Sequence, residues 1–150
     1  MAYAPLILWI GVIAFLSSSY ASMAETSRFI GPILKFLLPN ASDETLRAIH
    51  AVIRKAAHVT EYSLLAFFAV RAMAAALDIR SKMRYILPLI LVAAVASADE
   101  INQSFDVART GLPSDALLDT ASGAVAIIIF WLMKWPRPVV ERESRADDRS

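Results

Sequence analysis

Apolar residues come in long blocks along this chain. Four stretches stand out: 5–20 and 85–98 without a charge, 59–77 interrupted by Glu61 and Arg71, and 116–135 interrupted by Asp119 and carrying Lys134 at its end. No alternation of period two appears, so the pattern does not indicate a β-barrel. Crossing a hydrocarbon core of ~30 Å with a helix that rises ~1.5 Å per residue takes about 20 residues. Backbone groups cannot stay unpaired in lipid, which makes such crossings helical. The pattern therefore predicts an all-α fold, a four-helix transmembrane bundle with spans at about 5–21, 56–77, 83–104 and 115–135. The third block reaches crossing length only by carrying Asp99 and Glu100 into the span.

The connections read as follows. Residues 28–38 are apolar with two cations, Arg28 and Lys35, and suit an interfacial segment. Ser42 is a helix cap, with Asp43 and Glu44 at the positive end of the helix that follows. No Gly or Pro follows before Leu77, so that helix should run unbroken into the second span. Residues 136–150 hold four Arg and four acids and read as a short, disordered, charged tail behind a membrane domain over 1–135. Ser22-Met23-Ala24 resembles a signal-peptidase site, but the start Met-Ala-Tyr-Ala lacks a basic region, which favours retention of the first segment as a helix.

Composition agrees with a membrane. Hydrophobic residues make up 57% and charged residues 19%, with a mean hydropathy of +0.53. Ordinary soluble domains run about 45–50% and about 25%. Fifteen Lys and Arg against fourteen Asp and Glu leave no bulk charge for a nucleic-acid partner. The absence of cysteine excludes disulfides, thiolate zinc sites and thiol chemistry. In a four-span topology, Arg80, Lys82, Arg84, Lys134 and the tail arginines share one side, eight basic residues against six. That bias puts both termini of a multi-pass protein on the cytoplasmic side of its membrane. Trp131 and Trp135 beside Lys134 suit an anchor at the inner interface.

The chemistry lies in polar residues placed where lipid is expected. At about 100° per residue, Arg54, His58 and Glu61 share one helical face, with Arg47 and His50 further up and Lys55 and Tyr62 at its flanks. Asp99, Glu100 and Gln103 cluster on the third span; Asp115 and Asp119 share a face of the fourth; Arg109 lies in the loop between. Counted from the inner boundary at ~1.5 Å per residue, Glu61, Asp99 and Asp119 fall at ~21–24 Å, a common level below the outer edge. A lone charge in lipid costs several kcal/mol, so these groups should meet in one outward-opening polar cluster. A structural ion-pair network is the plain alternative. His58, Glu61, Asp99 and Glu100 are chemically able to ligate a metal, but Arg54 and Arg109 would repel it, so neither a metal nor another cofactor is expected.

The run Arg54-Lys55-Ala-Ala-His58-Val-Thr-Glu61-Tyr62 resembles the signature of the VanZ-like family of small bacterial membrane proteins. The resemblance continues through Phe15-Leu16-Ser17-Ser18, Asp99-Glu100-Ile-Asn-Gln103-Ser-Phe105, Arg109 and Asp115. Asp119 stands where the family often carries Asn. The resemblance implies the four-helix membrane fold, and it links the chain to a family whose namesake is associated with resistance to the glycopeptide teicoplanin.

Three functions fit these residues. In a membrane-embedded enzyme acting on an envelope lipid or lipid-linked precursor, His58 with Glu61 and Asp99 with Glu100 are acid/base pairs. Arg54, Lys55 and Arg109 would hold an anionic headgroup, with Tyr62, Gln103, Asp115 and Asp119 completing the binding site. A non-catalytic binding protein would use the same cations. A proton-coupled carrier would relay protons through the acids, but no acid lies deep in the inner half. The oligomeric state is not legible.

Overall fold

The computed structural model describes residues 2–18, 23–77, 82–105 and 112–133. These form five helices: α1 (Ala4–Leu16), α2 (Met23–Leu37), α3 (Asp43–Ala76), α4 (Met83–Ser104) and α5 (Pro113–Leu132). Among the described residues there is no strand. The loop with Arg109, the segment 78–81, residues 19–22 and the tail from 134 lie outside the described residues, so the expectations placed on them are not addressed by the fold.

The local rules hold at α3. Ser42 sits in extended backbone and its Oγ accepts the Thr45 N–H at 3.2 Å. Asp43 and Glu44 complement the helix dipole, and the 34-residue helix runs without interruption to Ala76. The interfacial segment expected at 28–38 is a helix that begins earlier, at Met23. Its outward residues include Phe29, Ile33 and Phe36, all exposed.

Three helices, α3, α4 and α5, are long and apolar enough to cross a membrane. The expected fourth, α1, has 13 residues and rises only ~20 Å, less than a straight crossing needs. It contains no charge and packs on α3 and α4.

Helix α3 is the central strut, in contact with each of the other four helices, and α5 packs against both α3 and α4. The core is built from Tyr62, Leu65, Ala66 and Ala69 of α3, Val92 and Ala96 of α4, and Ala126 and Ile127 of α5; Leu6 and Ile13 of α1 close it. Small side chains at these positions let the helices approach closely. At Gly123 of α5, a Cβ would stand 2.6 Å from Val92 Cγ1 of α4, so only glycine fits there without movement.

The distribution of polarity is inverted relative to a soluble bundle. Ile7, Leu8, Phe15, Ile90, Leu117, Val125 and Ile128 face outward. Asp99, Glu100, Gln103 and Asp119 are buried between helices. Burying such groups while exposing branched aliphatics is favourable only where the surrounding solvent is itself apolar.

Candidate functional site

The site is assembled from three helices. His58 projects from the middle of α3 toward α5, and its Nδ1 lies 3.2 Å from Asp119 Oδ2. One turn along α3, the Tyr62 hydroxyl donates to Asp99 Oδ2 of α4 at 3.0 Å. The His58 and Tyr62 rings stack, with centroids 6.4 Å apart and planes 23° from parallel. Tyr62 is fully buried and Asp119 is 2% exposed. The i, i+4 spacing of His58 and Tyr62 places both polar tips on one face of α3. The facing acids then fix which neighbour each addresses.

Beside this chain of hydrogen bonds lies a cavity of about 170 Å³. Arg54, His58, Glu61, Asp99 and Gln103 form its polar wall; Ile13 and Leu16 of α1, Ile30 of α2 and Ile53 of α3 form its apolar wall. Three of the expected site residues on α3 and two on α4 therefore share one space. Trp9 of α1 fastens this wall by donating its indole N–H to the Glu61 carbonyl at 2.9 Å. Asn102 of α4 donates to Ser17 Oγ at 3.2 Å and ties the far end of α1 to the same region.

The remaining expected residues take other places. Glu100 points away from the cavity and accepts the backbone N–H of Leu112, the cap residue of α5. Its position one residue after Asp99 turns it about 100° around α4, so the two acids have different hydrogen-bond partners, Tyr62 for Asp99 and Leu112 for Glu100. Lys55 and Asp115 form an ion pair at 3.3 Å with a largely exposed ammonium. Asp115 sits in the first turn of α5, where a carboxylate complements the helix dipole. His58, expected beside Glu61 on its own helix, lines the cavity together with it and also meets Asp119 across the bundle. Arg109 lies outside the described residues.

Trp9, Ser17, Asn102 and Leu112 support the site without having been given roles from the sequence. Ser17 and Asn102 stand within the family-like runs, which was the available signal. Trp9 carried none beyond its place in an apolar helix.

Four buried polar atoms have no hydrogen-bond partner among the described residues: Asp99 Oδ1, Asp119 Oδ1, Gln103 Nε2 and Arg84 Nε. The first three belong to this site. One nitrogen or oxygen from each of His58, Asp99 and Asp119 also fall within 4.8 Å of one another.

A polar core of acids, imidazole and phenol, walled by helices with apolar outer faces, defines a membrane protein with an interior polar site. The chain belongs to the VanZ-like family, since the family model described as VanZ/LLP1 matches residues 2–134. Neither a curated protein nor a solved structure matches it.

Proposed function

We propose that this VanZ-like protein takes an anionic headgroup of a cell-envelope lipid or lipid-linked precursor into the cavity and acts on it by acid/base chemistry. The observation that carries this reading is the cavity itself, which is lined both by Arg54, His58, Glu61, Asp99 and Gln103 and by Ile13, Leu16, Ile30 and Ile53. Such a mixed lining suits an amphiphile. The volume of about 170 Å³ is below the ~300–1,000 Å³ of sites that enclose whole drug-sized ligands, which favours a phosphate- or carboxylate-sized group with its acyl part left in lipid.

In this reading Arg54 anchors the anion through a planar fork of N–H donors. Glu61 and His58 are the proton-moving groups, with His58 oriented by Asp119 and Asp99 oriented by Tyr62. Glu100 is a positioning residue that holds the start of α5. Lys55 and Asp115 stand at the rim. The domain over 1–135 is a four-span bundle in the bacterial inner membrane, with α1 as its shortest member. Both termini and the tail 136–150 are cytoplasmic, and the cavity opens near the outer leaflet. The family's association with glycopeptide resistance favours a peptidoglycan precursor among the envelope substrates.

Headgroup-resolved analysis of lipids and precursors tests this in cells lacking the protein. Wild type should reverse the change, and His58→Gln, which keeps a hydrogen-bonding partner for Asp119, and Glu61→Gln should not, although both variants insert. Full complementation by both variants refutes the catalytic reading. Binding of the precursor without any change in it points to a sequestering protein built on the same cations.

A further inference from the structure

Three donors of the acid/base site also converge on one point, which that reading leaves unexplained. His58 on α3, Asp99 on α4 and Asp119 on α5 each bring one donor atom to within 4.8 Å of the others. Some point therefore lies within about 3 Å of all three, against metal–ligand bonds of roughly 2.0–2.2 Å for imidazole nitrogen and carboxylate oxygen. Side-chain shifts of less than about an ångström close the difference.

Buried atoms without partners point to the same place. Each acid has one oxygen engaged, Asp99 Oδ2 by Tyr62 and Asp119 Oδ2 by His58. Each has its other oxygen buried with no donor among the described residues. A buried carboxylate oxygen without a donor or cation is costly. Gln103 supplies an independent sign: its side-chain amide is more than nine-tenths buried, its Nε2 lacks a partner, and it lines the cavity beside Asp99 and His58. A rotated amide presents an oxygen to a cation, and an unrotated one donates to water bound on it.

Charge agrees. Among the described residues, Glu61, Asp99 and Asp119 bring three carboxylates to a region whose cavity is lined by one guanidinium, that of Arg54. One divalent cation balances that remainder. From sequence, repulsion by Arg54 and Arg109 argued against a metal; three acids now stand against Arg54, and Arg109 lies outside the described residues. Lys55 is engaged by Asp115.

We propose that His58, Asp99 and Asp119 bind one first-row divalent cation, zinc or manganese, beside the cavity. One imidazole with two carboxylates suits these ions and not copper(I) or an iron–sulfur cluster. The cavity leaves coordination positions open to water or to a headgroup oxygen. This rests on the headgroup reading and deepens it by giving the site a cation: with the ion bound, His58 is a ligand and Glu61 alone is the group that moves a proton.

The test uses the full chain in detergent, with any oligohistidine tag removed, dialysed against chelator and then equilibrated with Zn²⁺ or Mn²⁺ alone. Elemental analysis should find one ion per chain. His58→Gln and Asp119→Asn should each weaken binding by at least about tenfold, equivalent to ~1.4 kcal/mol. Asp43→Asn, whose carboxylate pairs with Lys35 at the surface, should leave binding unchanged. Pulsed EPR of the Mn²⁺ form should show a directly bound imidazole nitrogen. That measurement on the wild-type chain decides the matter if the variants fail to insert. Absence of stoichiometric uptake of either ion, uptake unchanged in both variants, or a Mn²⁺ spectrum without imidazole coupling overturns the proposal. Uptake is read without lipid, so failure here and failure of the headgroup reading are separate results.

Discussion

The close contact between Gly123 and Val92 gives a quantitative prediction that reaches the site. In Gly123→Ala the new methyl would stand 2.6 Å from Val92 Cγ1 and 3.2 Å from Cγ2. Favourable carbon–carbon contacts lie at ~3.5–4.0 Å, so about an ångström of motion is required. Val92 is fully buried, and a β-branched residue in a helix has one strongly preferred rotamer, so it cannot simply turn aside. The strain must be taken up by parting α4 from α5, at a cost of ~1–3 kcal/mol. Asp119 lies one turn from Gly123, and Asp99 two turns from Val92, so parting the helices also separates the acids that face His58. Val92→Ala alone should cost ~1–3 kcal/mol through lost contacts and the space left behind. In the double variant Gly123→Ala/Val92→Ala the clash is gone, and the cost should fall below the sum of the singles by ~1 kcal/mol or more. Unfolding in mixed micelles with increasing SDS, followed by circular dichroism, measures all four species. A Gly123→Ala protein as stable as wild type, or strictly additive costs, would refute the reasoning.

Four further outcomes follow. His58→Ala leaves Asp119 buried without its partner and should destabilise by ~3–5 kcal/mol in the same assay, with much of the loss recovered when Asp119→Ala is added. Trp9→Phe removes the indole bond to the Glu61 carbonyl and should cost ~0.5–1.5 kcal/mol, with faster proteolysis of α1. Lys55→Ala should change stability by less than ~1 kcal/mol, because the pair with Asp115 is solvent-exposed; a larger loss on SDS unfolding would show that the pair is structural. Glu100→Ala should increase hydrogen exchange at Leu112 and the first turn of α5, whereas Glu100→Gln keeps an acceptor oxygen and should not.

Periodicity carried much of the fold. The unbroken α3 was readable because nothing from Ser42 to Leu77 breaks a helix, and α4 begins and ends where the apolar block plus one acidic turn predicted. The start of α2 was missed because its opening residues are polar and give no apolar run to follow. The short α1 was overread because an uncharged block says nothing about where the helix stops.

Within the site, the stripe of Arg54, His58 and Glu61 was legible from helical spacing alone, and all three line one cavity. What spacing could not supply was the rotation of each helix about its axis. That rotation sends Glu100 to Leu112, gives His58 a further partner in Asp119, and brings three donors close together. Neighbours along one helix are visible in sequence; partners across a bundle are set by packing.

The bond from Trp9 to Glu61 spans 52 positions of the chain and therefore has a consequence for biogenesis. At synthesis rates of ~5–20 residues per second, Glu61 emerges roughly 3–10 s after Trp9. Throughout that interval the Trp9 indole lacks its acceptor, and α3 is only partly made. Helix α1 can therefore reach its final seat only after the chain has passed the middle of α3.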